Sequence, residues 1–306
     1  GEEIVSSNGK VKQWDKTYKA TSAPIDTTIR IAVLTNSNSA SASEIVAGAM
    51  QDLDRGIVVG TRTFGKGLVQ TTRDLDYNTK LKVTTAKYYI PSGRCIQVLD
   101  YSHRNEDGSV GEVPDSLISE FTTKKGRKVY DGGGIVPDIV LEPDQLSNLS
   151  IALITNYMIF DFATKFASET ESIAAPEKFE VTDEIYNQFT QLVKSHDFNY
   201  ESESEHVLED LIEAAKIEKY FKKKEKEFQT LKAKLEPKLD KDINEFSEEV
   251  KSLLKDEIVS RFYYQEGAIR ASIGEDKVIS KAIEELDSPM AYSDYFEPGT
   301  IISMKR

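Results

Sequence analysis

Residues 31–70 read IAVLTNSNSASASEIVAGAMQDLDRGIVVGTRTFGKGLVQ, and the reading of this stretch decides the fold. Ile31 to Leu34 form an apolar run bounded by polar residues, the pattern of a strand covered on both faces. Asn36 to Ser39 are a polar turn. From Ala42 to Leu53, the residues Ile45, Val46, Ala49, Met50 and Leu53 recur at helical spacing and predict one apolar stripe. Ser41-Ala42-Ser43-Glu44 fits a capping box, with Ser41 as N-cap and Glu44 reaching back from the third helical position. Gly56 ends the helix, and Ile57-Val58-Val59 returns as a second buried strand. Strand, helix and strand predict a parallel pair joined by a right-handed crossover.

Ser41 has an ordinary use as a helix cap. A helix N-terminus after a strand also presents free N–H groups and positive potential, which suit an oxyanion. Ser41 is therefore a candidate nucleophile, and the Ala42 N–H a candidate oxyanion donor. A serine needs a base. His103, in the polar loop Tyr101 to Gly111, is the sole histidine of this half, and no Gly-x-Ser-x-Gly elbow occurs, so a Ser-His-Asp hydrolase is poorly supported. Lys66, between Gly65 and Gly67, is the other option, because a desolvated lysine can supply a neutral amine. A solvated surface lysine is its ordinary alternative. Residues 60–67 nearly fit a phosphate-binding loop, but Gly67 stands where Ser or Thr is required. Leu68 to Thr72 then read as a strand and not the required helix, which argues against nucleotide binding.

Asn38 to Asp52, then Val59-Gly60, Thr63-Phe64-Gly65-Lys66-Gly67 and Val69-Gln70, closely resemble the carboxyl-terminal processing proteases, also called tail-specific proteases. Tyr88-Tyr89-Ile90-Pro91-Ser92-Gly93-Arg94 and Gly132-Gly133-Gly134-Ile135-Val136-Pro137-Asp138 extend the match over about a hundred residues. The resemblance implies an α/β core of strand–strand–helix units, related to ClpP and crotonase. It implies Ser41 as nucleophile, Lys66 as general base and Gln70 as the residue that orients the lysine. By position alone, Gln70 is equally an exposed strand residue. The implied chemistry is that of a serine endopeptidase working through an acyl-enzyme, without cofactor or metal. Its substrates are proteins or peptides held by a C-terminal tail, often added as a strand to a sheet edge. The implied location is a bacterial periplasm or cell envelope. Family members carry a glycine-rich oxyanion segment and usually a PDZ domain upstream. The chain opens at Gly1 with neither, and is expected to be a weak or inactive piece of a longer enzyme, since one lost oxyanion donor costs about 10²–10³ in turnover. The alternative is a non-catalytic scaffold or peptide-binding protein that retains the protease fold.

A chain of 306 residues suggests two domains, and 39% apolar with 30% charged residues suits packed cores beneath a solvated surface. The net charge of −13 is uneven. Residues 1–141 hold 18 basic against 17 acidic side chains, leaving 21 against 35 for the remainder. Nucleic acid is excluded as a partner, because no basic face is available for phosphates. The shift sets a boundary near Pro143, with residues 1–143 as part of a catalytic domain. Residues 144–306 then form an α-helical domain serving packing, homo-oligomerisation or gating.

Cys95 is the sole cysteine and His103, His196 and His206 lack ligand spacing, so neither disulfides nor a metal centre is expected. Leu149 to Phe166, interrupted by Asn156, Asp161 and Lys165, reads as one buried helix and not a membrane span. Ile185, Phe189, Leu192 and Val193 form one helical stripe; Val207, Leu208, Leu211, Ile212 and Ala215 form another. Leu239, Ile243, Phe246, Val250 and Leu253 form a third after Pro237, and Lys222 to Glu227 read as a solvated helix face. Nearer the N-terminus, Glu3 to Ser6 and Lys10 to Trp14 read as strands around a Ser7-Asn8-Gly9 turn. Leu81 to Tyr89, with Leu81, Val83, Thr85 and Lys87 alternating against Lys82, Thr84, Ala86 and Tyr88, reads as an internal core strand.

Overall fold

The computed structural model describes residues 1–143, 145–196 and 198–302. The chain divides into a mixed α/β unit of Gly1–Pro143 with Lys277–Arg306, and a helical unit of Asp144–Asp276. A helical domain running from 144 to 306 is thus corrected at its far end. The returning helices α9 (Lys277–Asp287) and α10 (Pro289–Asp294) bring Val278, Ala282, Leu286 and Tyr292 against Ile57 and Val59.

Strands β3 (Ala32–Thr35) and β4 (Ile57–Gly60) flank helix α1 (Ala42–Asp52) and pair in parallel, Val33 opposite Val58. Strand β11 (Ile139–Val140) pairs in parallel along the other side of β4. Ile57, Val58 and Val59 are fully buried. Val58 packs with Ala47, Ile90, Ile96 and Ile135, while Ile57 and Val59 meet the α9–α10 cluster, so both faces of β4 are covered.

Helix α1 turns differently from its apolar pattern. Val46 is 52% exposed, and the buried residues are Glu44, Ala47, Gly48, Ala49, Gln51 and Asp52, so of the predicted stripe only Ala49 is fully inside, with Ile45 packed at the edge of the core. Polar bonds anchor the buried side. Arg94 donates to Gln51 Oε1 (2.7 Å) and Asp52 Oδ1 (2.9 Å), and Gln51 Nε2 donates to Val136 O (2.9 Å). Arg127, fully buried, pairs with Asp54 and Asp138 and donates to Gln51 O.

A second sheet runs β2–β1–β6–β5, antiparallel throughout, from β1 (Glu3–Gly9), β2 (Lys16–Lys19), β5 (Leu68–Asp74) and β6 (Lys80–Tyr89). Ser7-Asn8-Gly9 is strand and not turn. A Cβ at Gly9 would lie 2.3 Å from Thr85 O, so the glycine serves close strand approach. Strand β6 is internal by pairing, but its alternation breaks. Val69 pairs with Ala86 and Gln70 with Thr84, leaving Thr85 as a bulge that brings Leu81 and Val83 onto the face of Tyr88. Leu81 and Val83 are nevertheless exposed, so only the Tyr88 end of the strand is core. Two small ribbons complete the unit: β7 (Leu99–Arg104) with β8 (Val110–Glu112), and β9 (Glu120–Thr122) with β10 (Lys128–Tyr130).

The helical unit contains α2 (Asn148–Thr155), α3 (Met158–Glu169), α4 (Asp183–Ser195), α5 (Glu203–Ile217), α6 (Phe221–Leu235), α7 (Leu239–Glu245) and α8 (Ser247–Ser272). Its core gathers Leu149, Leu153, Phe162, Phe189, Val193, Ile243, Val250, Leu254 and Ile258. The run 149–166 is two helices, because Tyr157 takes a left-handed φ of 61° between them. The third stripe likewise splits, with non-helical backbone at Phe246 between α7 and α8. In α5 only Leu208 and Ala215 are buried, while Val207 and Leu211 are exposed. Helix α6 buries no residue, in keeping with a solvated charged face. Among the described residues, no helix is long and apolar enough to cross a membrane.

Candidate active site

The site grows from the turn between β3 and α1. Ser39 Oγ accepts the Asn36 N–H (3.1 Å) and Asn36 Oδ1 accepts the Asn38 N–H (3.0 Å), which closes the turn on itself. Ser41 follows at φ 56°, ψ −112°. A side chain rarely adopts this backbone; it costs about 1–3 kcal/mol and persists only where neighbours enforce it. Sharp strained turns of this kind, from strand to helix, lift a nucleophile clear of its sheet.

Glu44 supplies the enforcement. Its carboxylate is fully buried. Oε2 accepts the N–H groups of Ser41 (2.8 Å) and Lys66 (2.9 Å), while Oε1 accepts Thr63 Oγ1 (2.6 Å) and the Gly65 N–H (2.7 Å). Four donors satisfy a carboxylate that burial would otherwise penalise. Thr63 Oγ1 in turn accepts the Ile135 N–H (2.7 Å). Gly65 sits at φ 85°, where a Cβ would lie 2.0 Å from Val98 Cγ2, so only glycine lets the lysine loop lie this close. The Phe64 N–H reaches back to Ser39 O (3.0 Å).

The carbonyl side of the same loops meets Tyr88. Its hydroxyl donates to Lys66 O and lies 3.3 Å from Ser41 O. Burial pushes the phenol well above its ordinary pKa, and the nearby Glu44 carboxylate adds to the shift.

The main chains of Ser41 and Lys66 are therefore brought together through shared partners. Their side chains are not joined: Lys66 is exposed, and among the described residues no hydrogen bond links Lys66 Nζ to Ser41 Oγ or to Gln70. The shielded lysine that a neutral amine requires is absent from this arrangement. Gln70 is exposed on β5, opposite Thr84, and alternation turns it away from the Val69 face. The Ala42 N–H opens α1 at an exposed position. His103 is exposed and pairs with Asp100 (2.8 Å). Burial raises the Cys95 thiol, which suits an inert side chain. Among the described residues, no three His, Cys, Asp or Glu side chains gather as a metal cluster.

Sequence reasoning took Glu44 for a cap alone and passed over Thr63 and Tyr88. A signal was available: Glu44, Ala47, Gly48, Gln51 and Asp52 recur at helical spacing, marking a polar face with small residues at its centre.

Residues 1–101 match the family described as Peptidase family S41. Residues 149–286 match the family described as "Probable PDZ-protease, C-terminal helical domain". The S41 match thus falls on the α/β unit and covers about a third of the chain. The carboxy-terminal-processing protease of Bartonella bacilliformis is 41% identical over 129 residues, which is 42% of this chain and 27% of that one. The chloroplastic carboxyl-terminal-processing peptidase 3 of Arabidopsis thaliana is 55% identical over 108 residues, 32% of this chain and 19% of that one. The chloroplastic C-terminal processing peptidase of Tetradesmus obliquus is 47% identical over 76 residues, 25% of this chain and 16% of that one. Among solved structures, the photosystem II D1 C-terminal processing protease matches at 31% identity and a TM-score of 0.33, covering 48% of this chain and 29% of that one. In these three sequence matches the chain thus spans between about a sixth and a quarter of the relative's length.

Proposed function

We propose that this chain carries the nucleophile and base of a serine endopeptidase that acts on proteins or peptides recognised by their C-terminal tail. Supporting the reading, the named relatives are carboxy-terminal-processing proteases. Within the chain, the observation that carries it is the shared Glu44 Oε2, which ties the main chain of Ser41 to that of Lys66. A helix cap alone has no need to hold a lysine loop.

Lys66 takes the Ser41 proton as Oγ attacks the substrate carbonyl, and the Ala42 N–H donates to the oxyanion that forms. The C–N bond then breaks and the leaving amine takes that proton from Lys66. Water, deprotonated by the same lysine, hydrolyses the ester and frees Ser41. Gln70 orients the amine once both are covered. That cover must come from bound substrate or from regions that the longer relatives carry outside the match, because Lys66 is exposed here. The core is read as related to ClpP and crotonase, and the compartment as a bacterial envelope. Two of the relatives are named chloroplastic, so compartment does not follow from family alone. The helical unit is assigned to packing, homo-oligomerisation or gating.

The exposure of Lys66 favours one second reading, a scaffold that keeps the fold and binds peptides without cleaving them. Cleavage of a tailed protein by the full-length enzyme separates the two. Ser41→Ala and Lys66→Ala should each abolish turnover while leaving near-UV circular dichroism unchanged. Full turnover in either variant contradicts the dyad.

A further inference from the structure

Tyr88 has a hydroxyl that packing does not require. Its ring is 4% exposed and lies among Ala47, Val58, Ile90, Ile96 and Ile135, an apolar setting that a phenylalanine would fill as well. A buried phenol needs a partner, and the one it has is Lys66 O, with Ser41 O 3.3 Å away. The main chain of the same residue grips the same loop, its N–H donating to Gly67 O (3.0 Å). We propose that Tyr88 is a positioning residue, its hydroxyl giving its one hydrogen to Lys66 O with Ser41 O beside it, while Glu44 fixes the N–H groups of both residues. The inference rests on the dyad reading and adds a part to it.

The physical case turns on where Lys66 can be held. Its amine is exposed, so the main chain is what sets the point from which the side chain reaches. Glu44 holds the peptide unit before Lys66, through its N–H. Tyr88 holds the unit after it, through its carbonyl. With both units fixed, Lys66 cannot rock about its own backbone. Ser41 is held similarly, its N–H by Glu44 and its carbonyl by the Ile45 N–H (3.0 Å) beside the Tyr88 hydroxyl. The apolar cluster keeps the ring still, so both loops are referred to one rigid point. Without the hydroxyl, Lys66 O loses its donor and the polar contact beside Ser41 O goes with it, so the nucleophile–base separation becomes variable. Small errors of placement at such a pair are costly in rate.

The test compares full-length wild type with Tyr88→Phe, with replacement of Tyr88 by 4-aminophenylalanine, and with Tyr89→Phe as control. Tyr88→Phe should lower kcat about tenfold or more with KM changed less than about twofold, since placement and not substrate capture is lost. Labelling of Ser41 by a fluorophosphonate should slow by the same factor. The 4-amino group retains a donor and should restore kcat to within about threefold of wild type. Tyr89→Phe should match wild type. If Tyr88→Phe does not fold, 4-fluorophenylalanine fills the hydroxyl's space without donating and carries the same comparison. Wild-type kcat in the phenylalanine or fluoro variant overturns the inference, as does an amino variant no faster than phenylalanine. Where Ser41→Ala and Lys66→Ala are inactive, that result leaves the dyad standing; where Lys66→Ala cleaves normally, the dyad itself has failed.

Discussion

The α/β unit buries whole ion pairs, where the helical unit buries hydrocarbon and one ammonium, Lys255, whose partners Glu180 and Glu275 stay exposed. Between Glu44 and Asp138, a carboxylate with four donors, an Arg94–Asp52 pair and an Arg127–Asp54–Asp138 cluster are buried nearly or completely. In the helical unit, Leu149, Phe189, Ile243 and Leu254 fill the centre, and ion pairs such as Lys232–Glu209 lie in solvent. Apolar packing tolerates sliding and exchange of side chains. A buried, fully paired polar network does not, because each misplaced group is left without a partner. The difference teaches where this chain needs fixed backbone: beneath Ser41 and Lys66, and not among the helices.

The comparison breaks most sharply at Arg127. Arg127→Met should strand two buried carboxylates and destabilise by about 3–5 kcal/mol, read as a fall in urea midpoint of the α/β unit. A midpoint near wild type would show that the cluster is not what holds that unit. Next, Leu254→Ala should cost the helical unit about 2–4 kcal/mol by leaving a cavity, measured by hydrogen exchange of α8 amides, with the amides of α1 unaffected. Glu44→Gln should cost less stability than either but more activity. The amide retains one acceptor oxygen yet cannot serve four donors, so cleavage by the full-length enzyme should fall about a hundredfold or more. At the solvated extreme, Lys232→Ala should leave the midpoint unchanged.

The smallest effect is at Asp100, whose carboxyl is drawn down to about 2 by hydrogen bonds from His103 and Ser102. A depressed carboxylate contributes above its unfolded value and loses that contribution as pH falls through about 2. His103→Ala should move its NMR titration midpoint upward, toward an ordinary aspartate.

The strand–helix–strand around Ser41 was legible because its strands are unbroken apolar runs and its turn is polar. The orientation of α1 was not. Apolar periodicity points to Ile45, Val46 and Ala49, of which Val46 is exposed, whereas partners distant in sequence, Thr63, Arg94 and Val136, draw Glu44, Gln51 and Asp52 inward. Gly9 was legible as special but not for its cause, since the oxygen it must clear belongs to Thr85. The bulge at Thr85 and the left-handed Tyr157 leave no mark in composition, and each reset a pattern read as continuous. The return of α9 and α10 was hidden because an amphipathic stripe names no partner. At the site, Ser41 and Lys66 could be chosen from sequence; that they share Glu44 and Tyr88 is tertiary information.

The most direct measurement is mass-spectrometric mapping of the residue that a fluorophosphonate modifies in the full-length enzyme, repeated in Lys66→Ala. Modification confined to Ser41, and lost when Lys66 is removed, is the predicted result. An adduct on another serine, or undiminished labelling of Ser41 without Lys66, would contradict the account.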